Sequence, residues 1–131
     1  MGAMPENNNH KKRILVVDDE EGFGRMVKLN LEETHEYEVW AETKGSRGFL
    51  AAKEFKPDLI FLDVIMPDMG GEEVARQLMT DFSTKNIPVV FLTGMADGNE
   101  LDTNDILLRK RPVLAKPATL DEIISCIERC L

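Results

Sequence analysis

Four acids in a row, a lone aspartate, a threonine and a lysine are the residues here whose types and spacing can do chemistry. Asp18-Asp19-Glu20-Glu21 follows the apolar run Ile14-Leu15-Val16-Val17, and Asp63 follows Leu59-Ile60-Phe61-Leu62. Thr93-Gly94 closes the run at 88–92, and Lys116-Pro117 closes Val113-Leu114-Ala115. Singly, each has a plain structural explanation. Asp18 to Glu21 puts negative charge where the next helix would begin, and the others are polar residues at strand ends. Jointly they ask for more. Three acids within a few ångström repel, and each resists ionising unless a cation is shared. A hard divalent ion with oxygen ligands, Mg²⁺ above all, resolves that conflict. Lys116 would be a fixed positive charge opposite the metal, with room between them for a tetrahedral anion. Metal, ammonium and hydroxyl around one carboxylate are the parts needed for phosphoryl transfer to that carboxylate.

Convergence of these residues depends on the elements that carry them. The runs ending at Val17, Leu62 and Leu92 are short, branched or aromatic, and closed by a polar residue. Parallel strands covered on both faces have that pattern. Residues 37–41 and 113–115 are weaker strand candidates. Helices are predicted over 22–33, with Phe23, Val27 and Leu31 in one stripe, and over 46–54, with Phe49, Leu50 and Lys53. Two more are predicted over 72–82, with Val74, Leu78 and Phe82, and over 119–131, with Leu120, Ile123, Ile124, Ile127 and Leu131. Thr119 and Glu122 have the spacing of a capping box. The stretch 96–111 is rich in Asp, Asn, Gly and Thr, all poor helix formers. Strands alternating with helices imply an α/β domain, a three-layer doubly wound five-stranded parallel sheet. In such a sheet the ligand lies beyond the carboxyl ends of the strands, where these polar residues fall.

Composition narrows the classes. A chain of 131 residues has room for one ordinary domain, and 43% hydrophobic with 31% charged residues is a globular mixture. The formal charge is −8, from 24 acidic and 16 basic residues, which argues against direct nucleic-acid binding. No apolar run approaches the roughly 20 residues of a membrane span, and no signal core is present, so the chain reads as cytoplasmic without a membrane partner. Cys126 and Cys130, four apart, suggest reduced, partly buried thiols rather than a disulfide framework or zinc site. Residues 1–12 read as a flexible leader, with Met1-Gly2-Ala3-Met4 resembling an expression scar, and 13–131 as the domain.

The segment from Ile14 to Glu21 and the run Leu62-Asp63-Val64-Ile65-Met66-Pro67-Asp68-Met69-Gly70-Gly71 resemble the receiver domain of bacterial two-component response regulators. Thr93 and Lys116-Pro117 fall where that family has its hydroxyl and lysine, at intervals of 44, 30 and 23 residues from Asp19 through Asp63 and Thr93 to Lys116. The resemblance implies a flavodoxin-like strand order 2-1-3-4-5 and a phosphorelay signalling role. It makes Asp63 the phosphoacceptor, with Mg²⁺ held by Asp18, Asp19, Asp63 and the backbone carbonyl of Ile65, and the phosphoryl oxygens bound by Thr93 and Lys116. A sensor histidine kinase or phosphotransfer protein would supply the phosphoryl group, and a downstream protein or fused output domain would read it. The chain would not be an enzyme beyond catalysing its own phosphorylation and slow dephosphorylation. Ile65, with Met95 two residues after Thr93, would shield the acyl phosphate from water.

The chain departs from the family at Val113, where an aromatic is usual, at 107–112, and at Ala118, where Phe is frequent. Val113 has too little bulk for the usual aromatic switch. The expected bistable segment is therefore 94–105, beside the basic Arg109-Lys110-Arg111, with the change on phosphorylation concentrated in 94–108. Three rival readings fit less well. An aspartyl-nucleophile phosphohydrolase wants a second acid where Ile65 stands. A nucleotide-binding module wants a third glycine after Gly22-Phe23-Gly24. A pseudo-receiver scaffold has no use for the full set Asp18, Asp19, Asp63, Thr93 and Lys116.

Overall fold

Every strand predicted from an apolar run is present in the computed structural model, which describes residues 10–94 and 111–131. In chain order these residues form β1 (Lys12–Val17), α1 (Glu21–Glu33), β2 (Tyr37–Glu42), a 3₁₀ turn (Gly45–Arg47) and α2 (Gly48–Phe55). Then come β3 (Leu59–Asp63), α3 (Gly71–Met79), β4 (Val89–Thr93), β5 (Val113–Ala115) and α4 (Leu120–Cys130). The expectations for residues 1–9, for Met95 and for 95–110, including Arg109 and Lys110, lie outside the described residues.

The five strands are all parallel, in the order β2-β1-β3-β4-β5. The expected doubly wound topology is therefore observed. Alternation along the strands builds two cores, one on each face. Ile14, Val16, Leu59, Phe61, Val90 and Leu92 pack against Val27 and Leu31 of α1 and Ile123 and Ile127 of α4. Leu15, Val17, Ile60, Leu62 and Phe91 pack against Ala51 and Ala52 of α2 and Val74 and Leu78 of α3. Ile14 to Val17 are fully buried. Each such side chain contributes about 1.5–3 kcal/mol of transfer free energy. Strands packed this firmly give the polar residues at their carboxyl ends a rigid mount. Tyr37 and Val39 are buried on β2, whereas Trp40 meets Phe55 edge-on at 5.5 Å.

Two helices differ from expectation. α2 starts at Gly48 rather than 46, and it buries Gly48, Ala51 and Ala52 while Leu50 is 60% exposed. Small residues let this short helix approach α3 and the sheet closely: a Cβ on Gly48 would stand 3.2 Å from Val74 Cγ1 and 3.4 Å from Val17 Cγ1. Lys53, placed on the apolar stripe by periodicity, instead faces solvent and pairs with Asp81 at 3.1 Å. α3 ends at Met79, so Phe82 lies beyond it and is 85% exposed. The Asp81 carboxylate accepts from Ser83 N at 2.8 Å and Ser83 Oγ at 2.6 Å, a local turn that competes with further helix. The capping box of α4 is present, with Thr119 Oγ1 accepting from Glu122 N at 3.1 Å and Glu122 accepting from Thr119 N at 2.8 Å. Cys126 is buried and Cys130 half-buried, both free thiols, and burial pushes Cys126 up to about 11. Among the described residues, no helix is long and apolar enough to cross a membrane.

Candidate functional site

Parallel order sends the carboxyl ends of β1, β3, β4 and β5 to one edge, and the acids, Thr93 and Lys116 stand there. Asp18 comes directly after β1 and is 1% exposed; its N–H donates to Glu42 O at 3.0 Å, prolonging the β1–β2 ladder. Asp63 is the last residue of β3, opposite Leu92 in register, and is 5% exposed. Asp18, Asp19 and Asp63 each offer an oxygen within 4.8 Å of the others, with Asp19 on the exposed side. Thr93 ends β4 as a buried residue and pairs with Ala115, and its carbonyl accepts from Lys116 N at 2.7 Å. That bond ties the start of the Lys116 loop to β4. The peptide between Lys116 and Pro117 is cis.

The Lys116 side chain crosses from β5 toward β1. Its Nζ donates to Asp18 Oδ2 at 2.9 Å and to the Glu20 carboxylate in a close contact, and lies 3.8 Å from Asp63 Oδ2. Asp18 uses its other oxygen to accept from Glu20 N at 2.9 Å. The Phe23 ring, on the first turn of α1, lies 5.3 Å from Nζ, within reach of a cation–π interaction. Burial works against the ammonium, but hydrogen bonds to Glu20 and Asp18 outweigh it and raise Lys116 above the usual lysine range. Asp63 goes the other way for a carboxylate. Burial first, then the charge of Asp18, push it up to about 8, with Lys116 offsetting only part of the rise.

The loop after β3 is held at both ends. Gly71 N donates to Val64 O at 2.8 Å, which brings the start of α3 back onto the end of β3. A Cβ on Gly71 would stand 2.3 Å from the Asp63 carbonyl oxygen, so only glycine fits. Asp68 reaches across to accept from Gly45 N at 3.2 Å and Ser46 N at 3.0 Å. Hydrogen bonds from Ser46, backbone first, hold its carboxyl down to about 2. Between these anchors, Met66 is buried and Ile65 stands 58% exposed, two residues after Asp63.

The fold thus brings together Asp18, Asp19, Asp63 and Lys116, with Thr93 at the end of the neighbouring strand. Sequence reasoning had Phe23 on the apolar stripe of α1 and Glu20 and Asp68 within their motifs, but gave none of them a contact in the site. Glu20 was visible within the acidic run, but which of four acids meets a lysine 96 residues away depends on register across the sheet. Val113, where the family usually has an aromatic, is 40% exposed on β5. Chemically, the arrangement is an all-oxygen cation cradle beside a buried carboxylate, with an ammonium facing it.

Comparison with known proteins places this geometry. Residues 14–128 match the family described as "Response regulator receiver domain". The DNA-binding dual master transcriptional regulator RpaA of Synechocystis sp. is 37% identical over 83 residues, covering 63% of this chain and 34% of RpaA. Protein PilH of Pseudomonas aeruginosa is 31% identical over 123 residues, covering 91% of this chain and 97% of PilH. The structure of the Vibrio cholerae chemotaxis protein CheY4 superposes with a TM-score of 0.81 at 25% identity, covering 93% of this chain and all of CheY4. The chain therefore spans about a third of the length of RpaA and nearly the whole of PilH.

Proposed function

The chain belongs to the response regulator receiver domain family, and from that premise we propose that Asp63 is the residue that accepts its phosphoryl group. Receivers of this family are phosphoacceptor signalling domains of two-component systems, and the chain is one of them; the scaffold alternative is not favoured. The observation that carries the assignment of Asp63 is its setting. A buried carboxylate stands between two further acids and an ammonium at the carboxyl edge of the sheet.

In this reading Asp63 attacks phosphorus in line. The donor's bond to phosphorus breaks as the Asp63 Oδ–P bond forms, and the leaving group keeps the electron pair. Lys116 binds one phosphoryl oxygen and Thr93 another, so that charge moving onto those oxygens meets fixed donors. Asp18, Asp19, Asp63 and the carbonyl of Ile65 would hold Mg²⁺. When bound, the ion supplies positive charge against the transferring oxygens. The residues present suit it: three carboxylates within 4.8 Å form a hard oxygen set, and burial and the charge of Asp18 raise Asp63 further than the nearby Lys116 ammonium offsets. Pro67 and the glycines at 70 and 71 shape the loop that returns to Asp63.

The donor is a phosphohistidine on a sensor kinase or phosphotransfer protein, and the readout belongs to a downstream protein or a fused output domain. The domain takes in Lys12, which was expected in the leader but opens β1 opposite Tyr37; it works in the cytoplasm and turns over no separate substrate, its chemistry being confined to its own side chain. Incubation with acetyl phosphate and Mg²⁺ should add about 80 Da by intact mass, one phosphoryl group. EDTA or Asp63→Asn should remove the adduct. An adduct that persists in Asp63→Asn would overturn the assignment.

A further inference from the structure

An ammonium has three N–H donors, and in Lys116 two of them are engaged away from Asp63. One goes to Asp18 Oδ2 at 2.9 Å and one to Glu20, whereas Asp63 Oδ2 lies 3.8 Å away, beyond hydrogen-bond reach. The ring of Phe23 lies against Nζ at 5.3 Å. Asp18 helps to set this geometry, because its Oδ1 accepts from Glu20 N at 2.9 Å and so anchors the backbone from which the Glu20 side chain reaches Lys116. Glu20, like Asp19, is exposed, whereas Asp18 and Asp63 are buried. The Glu20 side chain is 65% exposed, while that of Lys116 is 12% exposed, so the pair sits at the mouth of the site.

We propose that Glu20 is a positioning residue that tethers Lys116 at the mouth, must release the ammonium to the arriving phosphoryl group, and thereby slows phosphoryl uptake. The inference rests on the phosphoacceptor reading of Asp63. With acetyl phosphate, the donor's P–O bond breaks, the Asp63 Oδ–P bond forms and acetate leaves with the electron pair. The phosphoryl oxygens gather where Lys116 must turn to meet them, and Glu20 competes for the same charge. Water reaches the Glu20 end of the pair and screens it, so the pair can yield, but its loss falls within the barrier because Lys116 acts in the transition state.

The test compares wild type, Glu20→Gln, Lys116→Gln and the double variant. Uptake from acetyl phosphate with Mg²⁺ is followed by intact mass, beryllofluoride affinity by ¹⁹F NMR, and the Lys116 ammonium by ¹H–¹⁵N NMR without metal. Glu20→Gln should accelerate uptake and tighten beryllofluoride binding, each by roughly 3–10-fold. It should also shift or broaden the ammonium signal, and it should change neither uptake nor affinity in the Lys116→Gln background. The same acceleration in that background would overturn the tether, since Glu20 would then act by repelling the anionic donor. Slower uptake in Glu20→Gln, or an unchanged rate and ammonium signal, would also overturn it. If wild type takes up no phosphoryl group, the phosphoacceptor reading falls, while the metal-free ammonium signal still reports whether Glu20 holds Lys116.

Discussion

Replacing Asp63 with Asn should make the metal-free domain more stable, and the gain should grow with pH. An unfolded aspartate ionises near 3.8, whereas Asp63 in the fold holds its proton up to about 8, first through burial and then through the charge of Asp18. Between those values the unfolded chain has released a proton that the folded chain still binds. Stability therefore falls as pH rises through that window, by about 1.4 kcal/mol per pH unit at most. The penalty is absent below 3.8 and complete above about 8. At about pH 7 the ceiling is roughly 4 kcal/mol. Lys116, 3.8 Å from Asp63, can move closer and recover part of it. An isosteric amide should thus gain about 1–3 kcal/mol near pH 7.5, or roughly 3–10 °C in Tm, and clearly less near pH 5. Urea unfolding in EDTA, followed by far-UV circular dichroism at both pH values, measures the difference. An equal gain at the two pH values, or a loss of stability, would refute the reasoning.

Mg²⁺ at about ten times its Kd should stabilise wild type by about 1.4 kcal/mol through linkage, and Asp19→Ala should reduce the rise in Tm; a melting point indifferent to the ion would count against the cradle. Gly71→Ala places a Cβ 2.3 Å from the Asp63 carbonyl oxygen and 3.0 Å from Val64 Cα. It should cost about 2–4 kcal/mol and slow phosphoryl uptake, measured by urea unfolding and intact mass; wild-type stability would show that the loop has slack. Thr119→Ala removes the acceptor for Glu122 N at 3.1 Å, so it should cost about 1 kcal/mol while uptake stays unchanged.

How legible these features were in the sequence depends on how each residue is buried. β1 from Ile14 onward, β3 and β4 are covered on both faces, so these residues form uninterrupted apolar runs that give way to Asp18, Asp63 and Thr93. The acids and Lys116 were legible for that reason: each closes a strand, and parallel order carries them to one edge. β2 lies at the sheet edge, where buried Tyr37 and Val39 flank exposed Glu38, and its signal was correspondingly weak. α2 misled periodicity because glycine and alanine do its burying, while the larger Leu50 faces solvent. Phe82 looked like the last residue of an apolar stripe, but the hydrogen bonds of Asp81 to Ser83 take the chain out of the helix first. The Glu20 contact is a matter of long-range register. Its partner is set by the β1–β3–β4–β5 pairings, which no local pattern encodes.

The central claim, that the phosphoryl group resides on Asp63, is tested most directly by borohydride reduction. An aspartyl phosphate is reduced to homoserine, whereas a free carboxylate and a phosphohydroxyl are not. After phosphorylation from a phosphohistidine donor with Mg²⁺, reduction and peptide mapping should find homoserine at position 63, and none when EDTA replaces the ion. Homoserine at 18 or 19, or phosphate retained on a serine, threonine or histidine with Asp63 unchanged, would contradict the account.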